Sequence, residues 1–214
     1  MLEQLRTKLK GNKLPGQAAQ ALMAPPGRGE FPPPAKDARL AAVLLLLFQK
    51  NEKWHLLFIQ RTAPPGDHHG GQISFPGGSV DPGDTDAIDT ALRETEEEVG
   101  IPRSEIEVLG ELTRLYIPVS NFIVDPVLGL WTPGGDYEWG ESEVAGARYV
   151  VQQSEVARVL ELPLEAFRVA EARKVGDRKL TSGVTAKSVP YYLVGEEVVW
   201  GASSMMLAEL LALL

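Results

Sequence analysis

The chain has 214 residues, 44% hydrophobic and 23% charged, which suits one domain with a substantial core or one domain plus embellishments. A formal net charge of −8 argues against nucleic-acid binding, since such proteins usually present a basic face; only a local basic pocket is left open. There is no cysteine, so disulfides, thiolate catalysis and cysteine-based zinc sites are excluded.

The N-terminus, MLEQLRTKLKGNK, lacks the apolar core of a secretory signal. The longest apolar run, LAAVLLLLF at 40–48, falls short of the ~20 residues that a bilayer crossing needs. It reads better as a strand buried on both faces. A soluble cytoplasmic protein, not associated with membranes, is expected.

Residues 2–10 have the pattern of a short amphipathic helix. From 11 to 37 the chain is rich in Gly and Pro, as in PPGRGEFPPPAKD. Residues 1–37 therefore read as an N-terminal arm, wrapping or poorly ordered, and 38–214 as the domain. Leu40–Gln49 and Trp54–Arg61, separated by KNEK, resemble a β-hairpin. A polar stretch, TAPPGDHHGGQ (62–72), precedes a short strand at 73–75 and the loop PGGSVDPGD. A helix is expected from about Thr85 to Val99, with Asp84 or Thr85 as N-cap and Gly100 as terminator.

Ile106–Leu115 and Ile123–Trp131 alternate as strands do. Residues 132–146 form a turn-rich excursion, and ELPLEAF (161–167) a short helix. Pro190–Val194 and Val198–Trp200 suggest a closing hairpin, and Ala202–Leu214 a C-terminal helix. The apolar stripe of that helix fits core or homodimer contact better than lipid, because it lacks a basic polar face. Strands and helices mix without regular alternation, so the expected fold class is α/β, an α/β/α sandwich around a mixed β-sheet.

The helix over 85–99 carries RETEEEVG at its end. Advancing ~100° per residue from Arg93, Glu97 falls near ~40°, Glu94 near ~100° and Glu98 near ~140°. Ile88, Leu92 and Val99 fall on the opposite side and are expected to face the core. Ala87, Thr90 and Ala91 leave room above the acidic arc, and Glu96 is a solvated bystander. Like charges at this spacing cost ~0.2–0.5 kcal/mol per pair, and they lie at the negative end of the helix dipole. One resolution is a solvated acidic face, paired with Arg93 or a lysine. The other is a divalent cation, for which oxygen ligands of this kind suit Mg²⁺ or Mn²⁺. The preceding FPGG (75–78) lets backbone approach a ligand closely, and the combination points to a metal-bound phosphate.

These residues resemble the Nudix hydrolases, whose box is G-x5-E-x7-R-E-U-x-E-E-x-G-U with U apolar. Gly78 opens the box; Arg93, Glu94, Glu97, Glu98, Gly100 and Ile101 match its second half in register. The first acidic position is Asp84 rather than Glu, one extra residue separates it from Arg93, and Thr95 holds the first U position. The resemblance extends to the coenzyme A pyrophosphatase-like branch through LLFIQRT (56–62) and HGGQISFPGGSVDPGDTDAIDTALRETEEEVGI (69–101). That branch shares the extra residue. VSNFIVDPVLG (119–129), SEVARVLELPL (154–164) and VWGASSMML (199–207) look like it too. The branch's second arginine, before the histidines, is absent, and the segment 132–152 is longer than usual.

The resemblance implies a Nudix hydrolase domain that cleaves a nucleoside diphosphate linked to another group, with a divalent metal. Glu97 and Glu98 would be ligands, Glu94 a ligand or the general base, Arg93 its orienting partner, and the Gly77 carbonyl a further ligand. A base outside the box is also open, with Glu155 first and Glu143 second; a surface role is the alternative for each. Arg61, His68, His69, Gln72 and Gly78 would line the substrate site. The tandem histidines are alternatively a metal pair or plain loop residues. Arg114, Tyr116 and Phe122 would meet a base or a pantetheine arm, or else pack. The expected substrate is coenzyme A or an acyl derivative. ADP-ribose, NADH and dinucleoside polyphosphates are rivals, and a noncatalytic nucleotide-sensing regulator is the alternative of another class.

Overall fold

The computed structural model describes residues 1–11, 13–26, 31–63, 70–133, 149–179 and 183–214. Two apolar strands set the frame. β1 (Arg39–Lys50) and β2 (Lys53–Arg61) form the expected hairpin. Its two-residue turn places Asn51 and Glu52 at φ 50° and 62°, the conformation that matches the strand twist. Leu44 to Phe48 are all fully buried, because alternate side chains of β1 enter different cores on the two faces of the sheet.

Among the described residues the main sheet has eight strands. The path β3 (Ile73–Ser74), β2, β1, β7 (Phe122–Trp131), β5 (Ile106–Glu111) is joined by β4 (Gly77–Ser79) on β1, β6 (Leu115–Ile117) on β7 and β8 (Val156–Pro163) on β2. Among the described residues only β1 and β7 run parallel, so the sheet is mixed. One face is covered by α3 (Ala87–Val99). The other carries α4 (Gly201–Leu213), α1 (Leu2–Lys10), α2 (Gly16–Gln20) and a second sheet of β9 (Arg173–Lys179), β10 (Thr185–Val194) and β11 (Glu197–Trp200). This is the expected α/β/α sandwich.

Several segments differ from expectation. Gly77–Ser79, expected as loop, pairs as a strand, flanked by bonds from the Leu44 amide to the Pro76 carbonyl (2.9 Å) and from the Val80 amide to the Leu40 carbonyl (3.0 Å). The helix expected from Thr85 starts at Ala87: Asp86 is the N-cap, its side chain accepting from the Asp89 amide at 2.8 Å, while Asp84 is engaged elsewhere. Residues 161–163 end β8, and only a 3-10 turn, Leu164–Phe167, follows. The stretch 106–115 breaks between β5 and β6, where the Leu112 amide donates to the Pro126 carbonyl (2.8 Å).

The N-terminal segment packs on α4. Leu5 and Met23 are fully buried among Met206, Leu207 and Leu210. Glu209, also fully buried, accepts from the amides of Gly16 (3.2 Å) and Thr113 (3.1 Å) and from Gln20 Nε2 (2.8 Å). The apolar stripe of α4 thus lies in the core, with a carboxylate tying the arm and the β5–β6 connection to it. Among the described residues, no helix is long and apolar enough to cross a membrane.

Candidate active site

The site forms where α3 crosses β4. Gly78 pairs with Ala42, directly beneath Glu94: a Cβ on Gly78 would lie 2.6 Å from all three carboxylate atoms of Glu94. Gly77, at φ +148°, presses equally hard on β1, where a Cβ would lie 2.3 Å from the Ala42 carbonyl oxygen. Its amide donates to Glu98 Oε2 at 2.8 Å. Both glycines are therefore there for close approach, one to a carboxylate and one to backbone.

The acidic arc is divided: Glu97 is exposed, Glu94 is half-buried and Glu98 is enclosed. Glu98 is only 1% exposed, and Thr90, Ala91, Thr95 and Val99 are buried beside it. Ile88 and Leu92, placed by the helical wheel at the centre of the buried face, are only partly buried. Both still pack against the α3-side core with Val99, as the wheel predicts; part of the carboxylate side is covered as well, because Glu94 and Glu98 lie against β4. Thr95 fits an apolar position because its hydroxyl donates to the Ala91 carbonyl at 2.7 Å.

Arg93 organises the carboxylates. It grips Asp84 with two bonds, Nε to Oδ1 at 2.8 Å and Nη2 to Oδ2 at 2.9 Å, and donates to the Ser79 carbonyl at 3.1 Å. Its Nη1 donates to Glu94 at 2.9 Å and Glu97 at 3.2 Å. The Asp84 carboxyl is held far below its usual range, chiefly by the Arg93 hydrogen bonds. Burial raises the Glu94 carboxyl, opposed by Arg93. Burial also pushes Glu98 up to about 8, opposed by the Gly77 amide and helped by the charge on Glu94. The Asp84–Arg93 pairing, for which the sequence offers a shorter acid and one extra residue, closes fully.

Two further residues expected at the site are electrostatically coupled to it. Arg61, at the end of β2, attracts the Glu98 charge; Glu155 repels both Glu94 and Glu98. Glu155 is exposed on a turn anchored at both ends. The Gln152 amide donates to the Glu98 carbonyl (3.1 Å), and the Thr62 amide to the Glu155 carbonyl (2.8 Å). The same segment crosses α3 so tightly that a Cβ on Gly100 would lie 2.7 Å from Val150 Cβ. Nothing local in the sequence signals that crossing, since 98 and 152 are far apart. The Gln72 carbonyl accepts from the Arg61 amide at 3.0 Å. His68, His69 and Glu143 lie outside the described residues. Arg114 is forked onto Asp125 (2.6 and 2.8 Å), Tyr116 donates to Asn121 (3.0 Å), and Phe122 lies under Arg39, 4.0 Å from its ring centre.

The NUDIX domain family matches residues 38–130, and the chain is 34% identical over 185 residues to the uncharacterised Nudix hydrolase NudL of Photorhabdus laumondii, covering 85% of this chain and 90% of that one. This chain belongs to the Nudix hydrolase family. The NudL protein of Escherichia coli is 38% identical over 141 residues, 64% of this chain and 70% of its own. Among solved structures, a MutT/nudix family protein from Enterococcus faecalis aligns with a TM-score of 0.49 and 18% identity, over 86% of this chain and 64% of that one. Nudix hydrolases cleave pyrophosphate bonds in nucleotide-linked substrates and typically use a divalent metal. Among the described residues, no three acidic or histidine side chains stand together as a preformed metal cage. The geometry explains this: Arg93 draws Glu94 and Glu97 to itself, and the Gly77 amide holds Glu98. The donor set is nonetheless all oxygen, which fits a hard cation.

Proposed function

We propose that this Nudix hydrolase cleaves the pyrophosphate bond of coenzyme A or an acyl derivative, adding water to give 3′,5′-ADP and (acyl-)phosphopantetheine. The observation that supports the chemistry is the packing of Glu94 onto Gly78 and the hydrogen bond from the Gly77 amide to Glu98, with Arg61 near enough to attract the Glu98 charge. Coenzyme A is favoured by the runs at 56–62 and 69–101, which follow the coenzyme A pyrophosphatase-like pattern.

Glu94, Glu97, Glu98 and the Gly77 carbonyl would hold Mg²⁺ or Mn²⁺. When bound, such an ion neutralises nonbridging phosphate oxygens and acidifies a water. Gly77 lies between two ladder bonds, so its amide and carbonyl turn away from β1, consistent with the amide's bond to Glu98. Arg93 would orient Glu94. Glu155, exposed and close enough to feel both buried glutamates, would take a proton from the attacking water, with Glu94 as the other candidate. Arg61, Gln72, Gly78 and His69 would contact the substrate, the arginine through phosphate oxygens.

A panel of coenzyme A, ADP-ribose, NADH and dinucleoside polyphosphates, assayed with Mg²⁺ and Mn²⁺ and read by product mass, tests this. Preferred turnover of coenzyme A is expected. A strong preference for ADP-ribose would overturn the substrate assignment while leaving the chemistry intact; binding without turnover of any member would favour a nucleotide sensor. Glu97→Gln and Glu98→Gln should each lower metal-dependent turnover by at least ~10²-fold. Full activity in both would remove the ligand assignment.

A further inference from the structure

A cavity of about 370 Å³ opens at the end of β2, between the main sheet and the β9–β11 sheet. It lies on the face opposite α3. Its wall includes Gln60 and Ile73; Ile73 belongs to the α4-side core, while Ile59, on the other face of β2, packs under α3. Arg61, the next residue along β2, is the one that attracts Glu98. The strand end thus carries the carboxylate site on one face and this cavity on the other.

Most polar groups of the cavity already have partners. Arg158 donates to Gln60 Oε1 (2.6 Å) and forks onto Glu197 (2.8 and 2.7 Å). Asp177 accepts from Lys187 (2.6 Å) and from the Ser188 amide (3.1 Å). Three lining residues have chemistry to offer. The Arg178 guanidinium lies 3.7 Å from the Tyr191 ring centre; its Nε is shielded from solvent, so the donors it can offer a ligand are its terminal nitrogens, which have no hydrogen-bond acceptor among the described residues. Glu196 is exposed on the β10–β11 turn, and Trp200 is half-buried at the end of β11. A bare phosphate is a poor match, because three carboxylates line the cavity against two arginines. An indole, a donor without an acceptor and a free carboxylate together match a flat ring bearing an acceptor next to an amino group.

We infer that this cavity binds an adenine-type nucleobase, with Trp200 as its stacking surface, Arg178 donating to a ring nitrogen and Glu196 accepting from the exocyclic amine. The base is either that of the substrate, which rests on the pyrophosphatase reading above, or that of a separate adenine nucleotide. Stacking serves any base; the Arg178–Glu196 pair supplies the preference, as complementary donor–acceptor pairs do in base recognition.

AMP and IMP are the probes, since IMP has a carbonyl where AMP has the amine. AMP should quench tryptophan emission of the wild-type protein and not of Trp200→Phe. By calorimetry, Arg178→Gln and Glu196→Gln should each weaken AMP binding about tenfold, and IMP should bind wild type about tenfold more weakly than AMP. Glu196→Gln lies on an exposed turn and keeps the test valid if Arg178→Gln unfolds. If the base is the substrate's, AMP competes with it and Arg178→Gln raises KM with kcat unchanged; if it belongs to an effector, AMP alters kcat. The inference is overturned if wild type does not bind AMP at millimolar concentration, or if AMP and IMP bind equally to wild type and Glu196→Gln. The binding assays need neither metal nor turnover, so their failure is distinct from failure of the pyrophosphatase reading.

Discussion

Replacing Gly78 with alanine adds one methyl group 2.6 Å from the Glu94 carboxylate carbon and both its oxygens. Ordinary van der Waals contact needs ~3.5–4.0 Å, so about 1 Å of movement is required. Gly78 does not occupy the left-handed region, so its backbone accepts alanine. The atoms that must yield are the tip of a flexible side chain, only 15% exposed but free to rotate once its Arg93 bond lengthens. The fold should therefore absorb the change and the site should not. A displacement of ~1 Å at a reacting group costs ~10²-fold in rate, so Gly78→Ala should lose about that in kcat while its melting temperature stays within a few degrees of wild type. Gly77→Ala is the control. Its Cβ would meet the Ala42 carbonyl at 2.3 Å and its φ of +148° disfavours alanine, so it should unfold readily, whatever its activity. Steady-state kinetics and thermal melts on both variants decide. Near-wild-type turnover in Gly78→Ala, or losses of stability and activity in equal step, would refute the assignment of Glu94 to the reaction.

Asp84→Asn should cost about 3 kcal/mol in urea unfolding, since it strips the charge from a partner that is 3% exposed and leaves Arg93 underpaired; turnover should fall as Glu94 loses its fixed neighbour. Glu98 titrates near 8 in the folded protein, above the value of 4.5 for a free glutamate, so the folded state binds its proton more tightly. Metal-free protein should then lose a few kcal/mol of stability as pH rises from about 5 to 8, a slope that Glu98→Gln should flatten; an unchanged slope in the variant would exclude Glu98 as its source. Glu209→Ala should cost about 3 kcal/mol by orphaning the amides of Gly16 and Thr113, with KM unchanged in whatever enzyme remains folded.

The carboxylate site was legible because it is local. Gly77, Gly78 and the residues from Arg93 to Gly100 are read on one strand–loop–helix unit, whose spacing alone aligns Glu94 and Glu98 over the glycines. β1 was legible from its unbroken apolar run. β8 and β9 were not: Val156–Pro163 interleaves charge with aliphatics, and Arg173–Lys179 is mostly charged, so their strand state comes from pairing with β2 and β10. β4 reads as a loop for the same reason, two glycines that become a strand only against β1. Least legible was Glu209, whose partners at 16, 20 and 113 come together only when α2 and the β5–β6 connection fold onto α4.

The box departures at 84 and 95 are explained by the same rule, that a polar group is tolerated where its bonds close. An aspartate is one methylene shorter than glutamate, and the extra residue before Arg93 gives the loop the slack to bring it in; the fork closes at 2.8 and 2.9 Å. That fork, with the Ser79 carbonyl, occupies Nε and Nη2, so only Nη1 reaches the candidate ligands. Of those, Glu97 is 53% exposed and held at 3.2 Å, Glu94 15% exposed and held at 2.9 Å. A cation drawing on both would release Glu97 first, because an exposed pair of this kind contributes only ~0.2–1 kcal/mol. Arg93 would then keep its grip on Asp84 and Glu94, so that Glu97 supplies the movable ligand and Glu94 the fixed one. Glu97→Asp, which shortens the mobile arm, should weaken Mg²⁺ binding more than Asp84→Asn does, measured by calorimetry on folded protein. The reverse order would mean that Arg93, rather than the reach of Glu97, governs assembly of the site.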